Sequence, residues 1–128
     1  MGIRFEKDTI LNWINEMGKF LRLLTDKWEG LQEVSDDPIN VEEGYREFFK
    51  EDRDYFLRSD NEQLETFVSS LQPEQIRPLA QLMMYDGFLS DNRNLLQKAK
   101  FLLELNMRQS GSFAFEDYGF LTKIAAKL

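Results

Sequence analysis

Residues 6–29 have the sequence EKDTILNWINEMGKFLRLLTDKWE, and this stretch decides the fold class. Its apolar residues recur at intervals of three and four, so at about 100° per residue they fall within a sector of roughly 120°. They are Ile10, Trp13, Ile14, Met17, Phe20, Leu21, Leu24 and Trp28. The spacing predicts a long amphipathic helix over 6–29, and Gly30 is a natural place for it to end.

Downstream of Gly30 the same helical spacing returns in shorter pieces, and no stretch shows the two-residue period of a β-strand. The boundaries fall where prolines, glycines and capping residues stand. The predicted order is a loop at 30–39, a helix from 40, a break or single helical turn at 51–57, a helix at 60–71, a helix starting at 73 or 77 and ending at 87, a linker at 88–91, a helix at 92–109 and a last helix after 112. We therefore expect an all-α fold, with 1–128 forming a single compact domain of five or six helices.

Several helix ends have local signals. Asn40 followed by Glu43 resembles a capping box. Pro73 suits the first turn of a helix, whereas Pro78 would kink that helix unless the regular part begins nearer to 77. Gly111 can end the helix at 92–109, and Ser112 can cap the last helix. That last helix contains Phe115, Tyr118, Leu121 and Ile124 at roughly helical spacing.

The composition argues against catalysis, because the 128 residues include no histidine and no cysteine. These side chains supply most of the nucleophiles, general bases and transition-metal ligands that act near neutral pH. Glu43, Glu47 and Glu51 form an acidic row along one helical edge, but helical di-iron sites add a histidine to such carboxylates. We therefore expect no enzyme activity, no cofactor and no metal site.

The charge is unevenly spread along the chain. The net charge is −7, and residues 29–65 contain 13 acidic and four basic residues. This acidity disfavours a nucleic-acid partner, which requires a basic face. It is explained either by a solvated surface or by a docking site for a basic partner. No apolar run is long enough to span a bilayer, and no signal-peptide core follows the N-terminus, so we expect a cytoplasmic protein with no membrane contact.

The segment from Ile76 to Asn106 resembles one tetratricopeptide-type helical hairpin. Large and small apolar residues stand at the positions where that family has them, with a glycine between the helices and Asn106 in the place of a small apolar residue. The matching residues are Ile76, Leu79, Ala80, Met83, Gly87, Ala99 and Leu103. The long first helix, LLQKA at 95–99 and SFAFE at 112–116 extend the likeness to small, uncharacterised bacterial proteins of tetratricopeptide-like type. This resemblance implies a fold but does not indicate an activity.

Five residues form the candidate interaction surface: four apolar residues that lie off the expected core stripes and one polar residue that lies within a stripe. They are Leu11, Leu23, Phe101, Leu105 and Asn106. The apolar four are either sandwiched between other helices or exposed to a protein partner. Asn106 lies within an apolar stripe, so it either makes a structural hydrogen bond or anchors the backbone of a bound peptide.

Two functions follow from these observations. The first is a non-enzymatic helical module that binds a protein or peptide or pairs with a second copy of itself. The alternative is a small-molecule carrier or sensor with an apolar pocket between helices. That pocket would be lined by Met83, Met84, Trp13, Trp28 or the phenylalanines.

Overall fold

The periodic segments fold into seven α-helices in a computed structural model that describes residues 3–30, 40–111 and 114–128. They are α1 (Ile3–Glu29), α2 (Val41–Phe49), α3 (Arg53–Arg58), α4 (Asn61–Ser69), α5 (Ile76–Ser90), α6 (Arg93–Ser110) and α7 (Phe115–Lys127). A short 3-10 turn, Pro73–Gln75, precedes α5. The described residues contain no strand, and the helices pack in one compact arrangement, so the all-α prediction is confirmed. There are seven helices rather than five or six because the turn near 51–57 is a helix of its own.

The helix ends follow the capping signals in most places. Gly30 and Gly111 have φ angles of 76° and 71°, the left-handed conformation that glycine adopts without strain. The side chain of Asn40 accepts a hydrogen bond from the backbone N–H of Glu43 at 3.2 Å, so α2 begins as predicted. The expected loop at 31–39 and the predicted cap Ser112 lie outside the described residues.

The end of α5 differs from the prediction. The helix continues past Gly87 to Ser90 and ends at Asp91, which takes the left-handed conformation with φ of 53°. Gly87 has a packing role instead, because a Cβ at this position would lie 2.7 Å from Cδ2 of Leu96. The glycine therefore allows α5 and α6 to approach closely. Pro78 lies in the first turn of α5, where a missing N–H breaks no helical hydrogen bond.

The α5–α6 hairpin forms the centre of the molecule. A connection of two residues joins the two helices, and they have the most extensive contact of any helix pair in the described structure. Their fully buried apolar side chains are Leu79, Leu82, Met83, Met84, Leu95, Leu102 and Leu103. α1 packs mainly on α5, and α6 also contacts α4 and α7.

Two tryptophans fix α1 against its neighbours. The Trp28 ring stacks on Phe88 with centroids 4.8 Å apart, near the end of α5. Trp13 packs edge-on against Phe48 and Phe49, and its indole N–H donates to the Phe48 carbonyl at 2.9 Å. The C-terminal end of α1 thus contacts the C-terminal end of α5, and the middle of α1 contacts α2.

Candidate functional site

The five residues predicted to form an interaction surface do not lie together. Leu11 and Leu23 are half exposed on α1, about 120° apart around the helix axis. Phe101 and Asn106 are half-buried on α6. Leu105 is buried in the core, because α4, α5 and α7 all pack on α6 and cover more than one of its sides. Leu105 is therefore sandwiched between helices, the first of the two alternatives, and is not part of an exposed surface.

A groove with a volume of about 880 Å³ crosses the outer side of α6. We call it the α6 groove. One wall is formed by residues 57–62 at the corner between α3 and α4, and the floor by Asn94, Gln97, Lys98 and Phe101 of α6. Leu128 lines it as well. The groove combines apolar side chains, amides and charges, the mixture found where ligands are oriented by a few polar contacts.

Lys98 lies in the α6 groove, although only 6% of its surface is exposed. Its ammonium donates to the carbonyl oxygens of Phe56 at 2.7 Å and Leu57 at 2.5 Å, near the C-terminal end of α3. Helix carbonyls at this end have no partner within the helix, so the lysine stabilises a short helix that could not form alone. Burial lowers the pKa of Lys98, and the charge of Asp60 opposes part of that change.

Three side chains form a buried polar cluster between α2, α3 and α5. Arg53 donates to both carboxylate oxygens of Asp86 at 2.8 and 3.1 Å, and the Tyr45 hydroxyl donates to the same carboxylate at 2.7 Å. Burial, followed by the charge and hydrogen bond of Asp86, raises the pKa of Tyr45 well above its ordinary value. Asp86 and Arg53 also line a second cleft, with a volume of about 540 Å³. Because the cluster satisfies its own charges, we interpret it as a tie between helices.

The outer face of α7 is the most exposed apolar surface in the described residues. Phe115 is 94% exposed and Tyr118 is about half exposed. The prediction named both as apolar residues of this helix without assigning them to a surface, and the buried residues of α7 are Asp117, Phe120 and Ile124. This register is set by Asp117, which faces inward to accept a hydrogen bond from Arg77 of α5 at 2.6 Å. Because a carboxylate lies on the inner face, apolar spacing in the sequence does not reveal that this face is buried.

Arg77 holds α7 through more than one contact. Besides Asp117, its guanidinium lies 5.5 Å from the centroid of the Phe120 ring, and Nη2 is 3.8 Å from a Glu116 carboxylate oxygen. Nη2 is buried without a hydrogen-bond partner among the described residues. The orientation of α7 is thus fixed by a charged contact, which keeps Phe115 and Tyr118 on the outside.

Four of the residues proposed for the carrier alternative are occupied by packing, whereas Phe101 lines the α6 groove. Met83 and Met84 are fully buried in the hairpin, and the rings of Trp13 and Trp28 pack on other aromatic rings. None of the four lines the α6 groove or the second cleft. Across 3–30, 40–111 and 114–128, no three carboxylates lie close enough to hold a metal ion. Among the helices that the structure describes, none has both the length and the apolar character of a bilayer span.

The spacing of apolar residues in the sequence would have identified two of the three buried charges, Asp86 and Lys98. Asp86 lies three or four residues from Leu82, Met83 and Ser90, in an apolar row of α5. Lys98 lies between Leu95 and Leu102 in the same way. A charged residue at this spacing within an apolar row is a candidate for burial, and once buried it requires a hydrogen-bonding partner.

Comparison of the chain with protein-family models, curated proteins and solved structures gives no match. The likeness to tetratricopeptide-type hairpins therefore stays a prediction. What the protein does must be inferred from the surfaces that the described residues leave open, above all the outer face of α7 and the α6 groove.

Proposed function

We propose that the protein is a non-enzymatic self-association module in which the outer face of α7 packs against α7 of a second copy. The exposure of Phe115 is the observation that carries this proposal. Burying a phenylalanine side chain contributes about 1.5–3 kcal/mol, which this residue forgoes in the isolated chain. A cytoplasmic location, with a protein partner rather than nucleic acid, belongs to the same proposal.

The shape of the α7 face supports close helix–helix contact. Small residues share this face with its aromatic residues, and a Cβ placed on Gly119 would meet no atom within 4 Å. Thr122 and Ala126 continue the face along the helix, and both are exposed. A second helix can therefore lie against Gly119, with Phe115 and Tyr118 packing beside it from the preceding turn.

The charges on α7 favour an antiparallel pair. Glu116 lies in its first turn, and Lys123 and Lys127 lie in its last turns, all three within about 40° of one another around the helix axis. In a symmetric antiparallel pair the same edge of each helix meets the same edge of the other, which brings Glu116 of each copy near Lys127 of its partner. A parallel pair would leave the acidic ends together. The partner that fits this surface is thus a second copy.

The test is the molar mass of the chain in solution, measured by light scattering over a range of concentrations. We expect a dimer that dissociates on dilution. Phe115→Ser should convert the chain to a monomer without loss of helical content, because its side chain makes almost no contact within the fold. Leu23→Ser is the matched control, since it removes a half-exposed leucine from α1 and should leave the dimer intact.

A charge exchange tests the antiparallel arrangement separately. Lys127→Glu should weaken the dimer, and Glu116→Lys combined with Lys127→Glu should restore it. A chain that is monomeric at every concentration contradicts the proposal. So does a dimer that Phe115→Ser leaves unchanged.

A further inference from the structure

The buried ammonium of Lys98 lacks a counter-ion. Its two hydrogen-bond acceptors are backbone carbonyls, which are neutral, and it forms no ion pair in the described structure. An ammonium has three N–H donors, so one of them has no acceptor among the described residues. Burying a charge is costly unless it is paired, and this cation therefore favours an anionic group beside it.

The other charges of the α6 groove do not supply that group. Burial lowers the pKa of Lys98, and the charge of Asp60 acts on that pKa in the opposite direction. The Asp60 carboxylate, however, caps α4 by accepting a hydrogen bond from the Gln63 N–H at 2.8 Å. Arg58 pairs with Asp54 at 3.0 Å, and both are well exposed. Glu62 and Glu104 are exposed residues of the groove walls. Lys98 is thus set apart from the other charges of the groove by its burial.

We infer that the α6 groove is a binding site for a ligand with a carboxylate, which accepts the free N–H of Lys98. The groove supplies the remaining contacts that such a ligand needs. Leu57 and Phe101 offer apolar surface beside the lysine, and the Asn94 and Gln97 amides can hydrogen-bond a neighbouring carbonyl or N–H group. A volume of about 880 Å³ accommodates either a small organic acid or the carboxylate end of a peptide. This site is separate from the α7 face and does not depend on self-association.

The test uses N-acetyl-leucine and its primary amide, which differ only in the carboxylate. Each is titrated into the isotopically labelled full chain at constant ionic strength, and backbone amide shifts are followed by NMR. We expect the acid to shift amides of 57–62 and 94–101, and the amide compound to bind about ten-fold more weakly, since it lacks the charged hydrogen bond. Equal binding of the two compounds, or shifts confined to other residues, would overturn the inference.

Two variants separate the role of Lys98 from general attraction by positive charge. Lys98→Met keeps most of the side-chain volume and should abolish the difference between acid and amide. Lys100→Met, which removes an exposed lysine from the same groove, should keep that difference. Loss of the difference in Lys100→Met alone contradicts the site. If Lys98→Met fails to fold, the comparison of the two compounds on the unmodified chain still decides the question.

A third probe, acetyl-Ala-Ala-Leu with a free carboxylate, identifies the source of the ligand. Binding tighter than that of N-acetyl-leucine supports a peptide end, because the added residues then contact the groove. Equal or weaker binding supports a small organic acid. No shift at 57–62 or 94–101 with either carboxylate would sink the proposal.

Discussion

The α5–α6 hairpin and the three short helices α2–α4 share one core, but they are held in it differently. The hairpin is joined by apolar side chains along two helices of 15 and 18 residues. The short helices have nine, six and nine residues, too few to be stable alone. Besides their apolar contacts, α2 and α3 are tied to the hairpin by charged groups on it, Asp86 and Lys98.

This difference separates two roles: apolar contacts stabilise the fold, and charged contacts fix the orientation of particular helices. Apolar contact is not directional, so the hairpin tolerates small shifts of its helices. The Asp86 cluster requires one orientation of α2 and α3, because Tyr45 and Arg53 must reach the same carboxylate. Loss of a core side chain should therefore destabilise the whole fold, whereas loss of a charged tie should also release particular helices.

Asp86→Ala should have the largest effect. It leaves Arg53 and Tyr45 without their shared partner, and breaking a buried ion pair costs about 3–5 kcal/mol. The control is Asp52→Ala, which breaks the exposed pair with Arg46. The N–O distances are similar, 2.8 and 2.9 Å, but Arg53 and Asp86 are 23% and 4% exposed, against 59% and 70% for Arg46 and Asp52.

Urea denaturation followed by circular dichroism measures both free energies of unfolding. We expect Asp52→Ala to cost less than about 1 kcal/mol. Hydrogen exchange should show faster exchange in α2 and α3 of Asp86→Ala than in α5 and α6. Equal costs for the two variants would mean that burial does not distinguish the pairs.

Leu103→Ala tests the apolar side of the comparison. Leu103 is almost fully buried on α6, so its truncation should lower the free energy of unfolding by about 2–5 kcal/mol. Hydrogen exchange should accelerate in all helices together, unlike the pattern expected for Asp86→Ala. Leu23→Ala, at a half-exposed position, should change the free energy of unfolding by less than about 0.5 kcal/mol.

Gly87→Ala should destabilise the hairpin by about 1–3 kcal/mol, because the new methyl group would overlap Leu96. Gly18→Ala is the matched change on α1, where an added Cβ meets no atom within 4 Å. That variant should be stabilised by about 0.5–1 kcal/mol, since alanine is the better helix former. Thermal unfolding of both variants would show shifts of opposite sign, and shifts of the same sign would contradict this assignment.

The smallest expected effect, and the one most specific to a single residue, is the ionisation of the Tyr45 phenol at alkaline pH. Its raised pKa means that the folded state holds the phenolic proton more tightly than the unfolded state does. The stabilisation from this group is complete below about pH 10 and is lost as the pH rises above that value. Alkaline titration followed by ultraviolet absorbance should show one phenol that ionises only as the chain unfolds. Tyr45→Phe should lack that step.

The sequence predicted the long helices well, because their apolar spacing is local. The first helix was expected over 6–29 and is Ile3–Glu29. The positions that failed are those decided by distant residues. The face of α7 depends on a contact between Arg77 and Asp117, which are 40 residues apart, and Lys98 meets carbonyls 41 and 42 residues away.

The candidate surface was only partly predictable for the same reason. Leu11 and Leu23 are exposed at separate positions, and Phe101 reaches the α6 groove, but Phe115 and Tyr118 were not among the residues predicted for the surface. Apolar spacing identifies which residues share a helix face. It does not identify which of two faces is buried when a charge lies on the inner one.

The two tryptophans of α1 give the protein a pair of built-in optical reporters. Trp13 lies beside α2, whereas Trp28 lies against the end of α5, with the Lys123 ammonium 5.3 Å from its ring centroid. With either indole replaced by phenylalanine, the emission of the other would follow the docking of one neighbour. The detachment of α2 and the unfolding of the α5–α6 hairpin could thus be followed separately, by the same rapid-mixing experiment on each of the two variants.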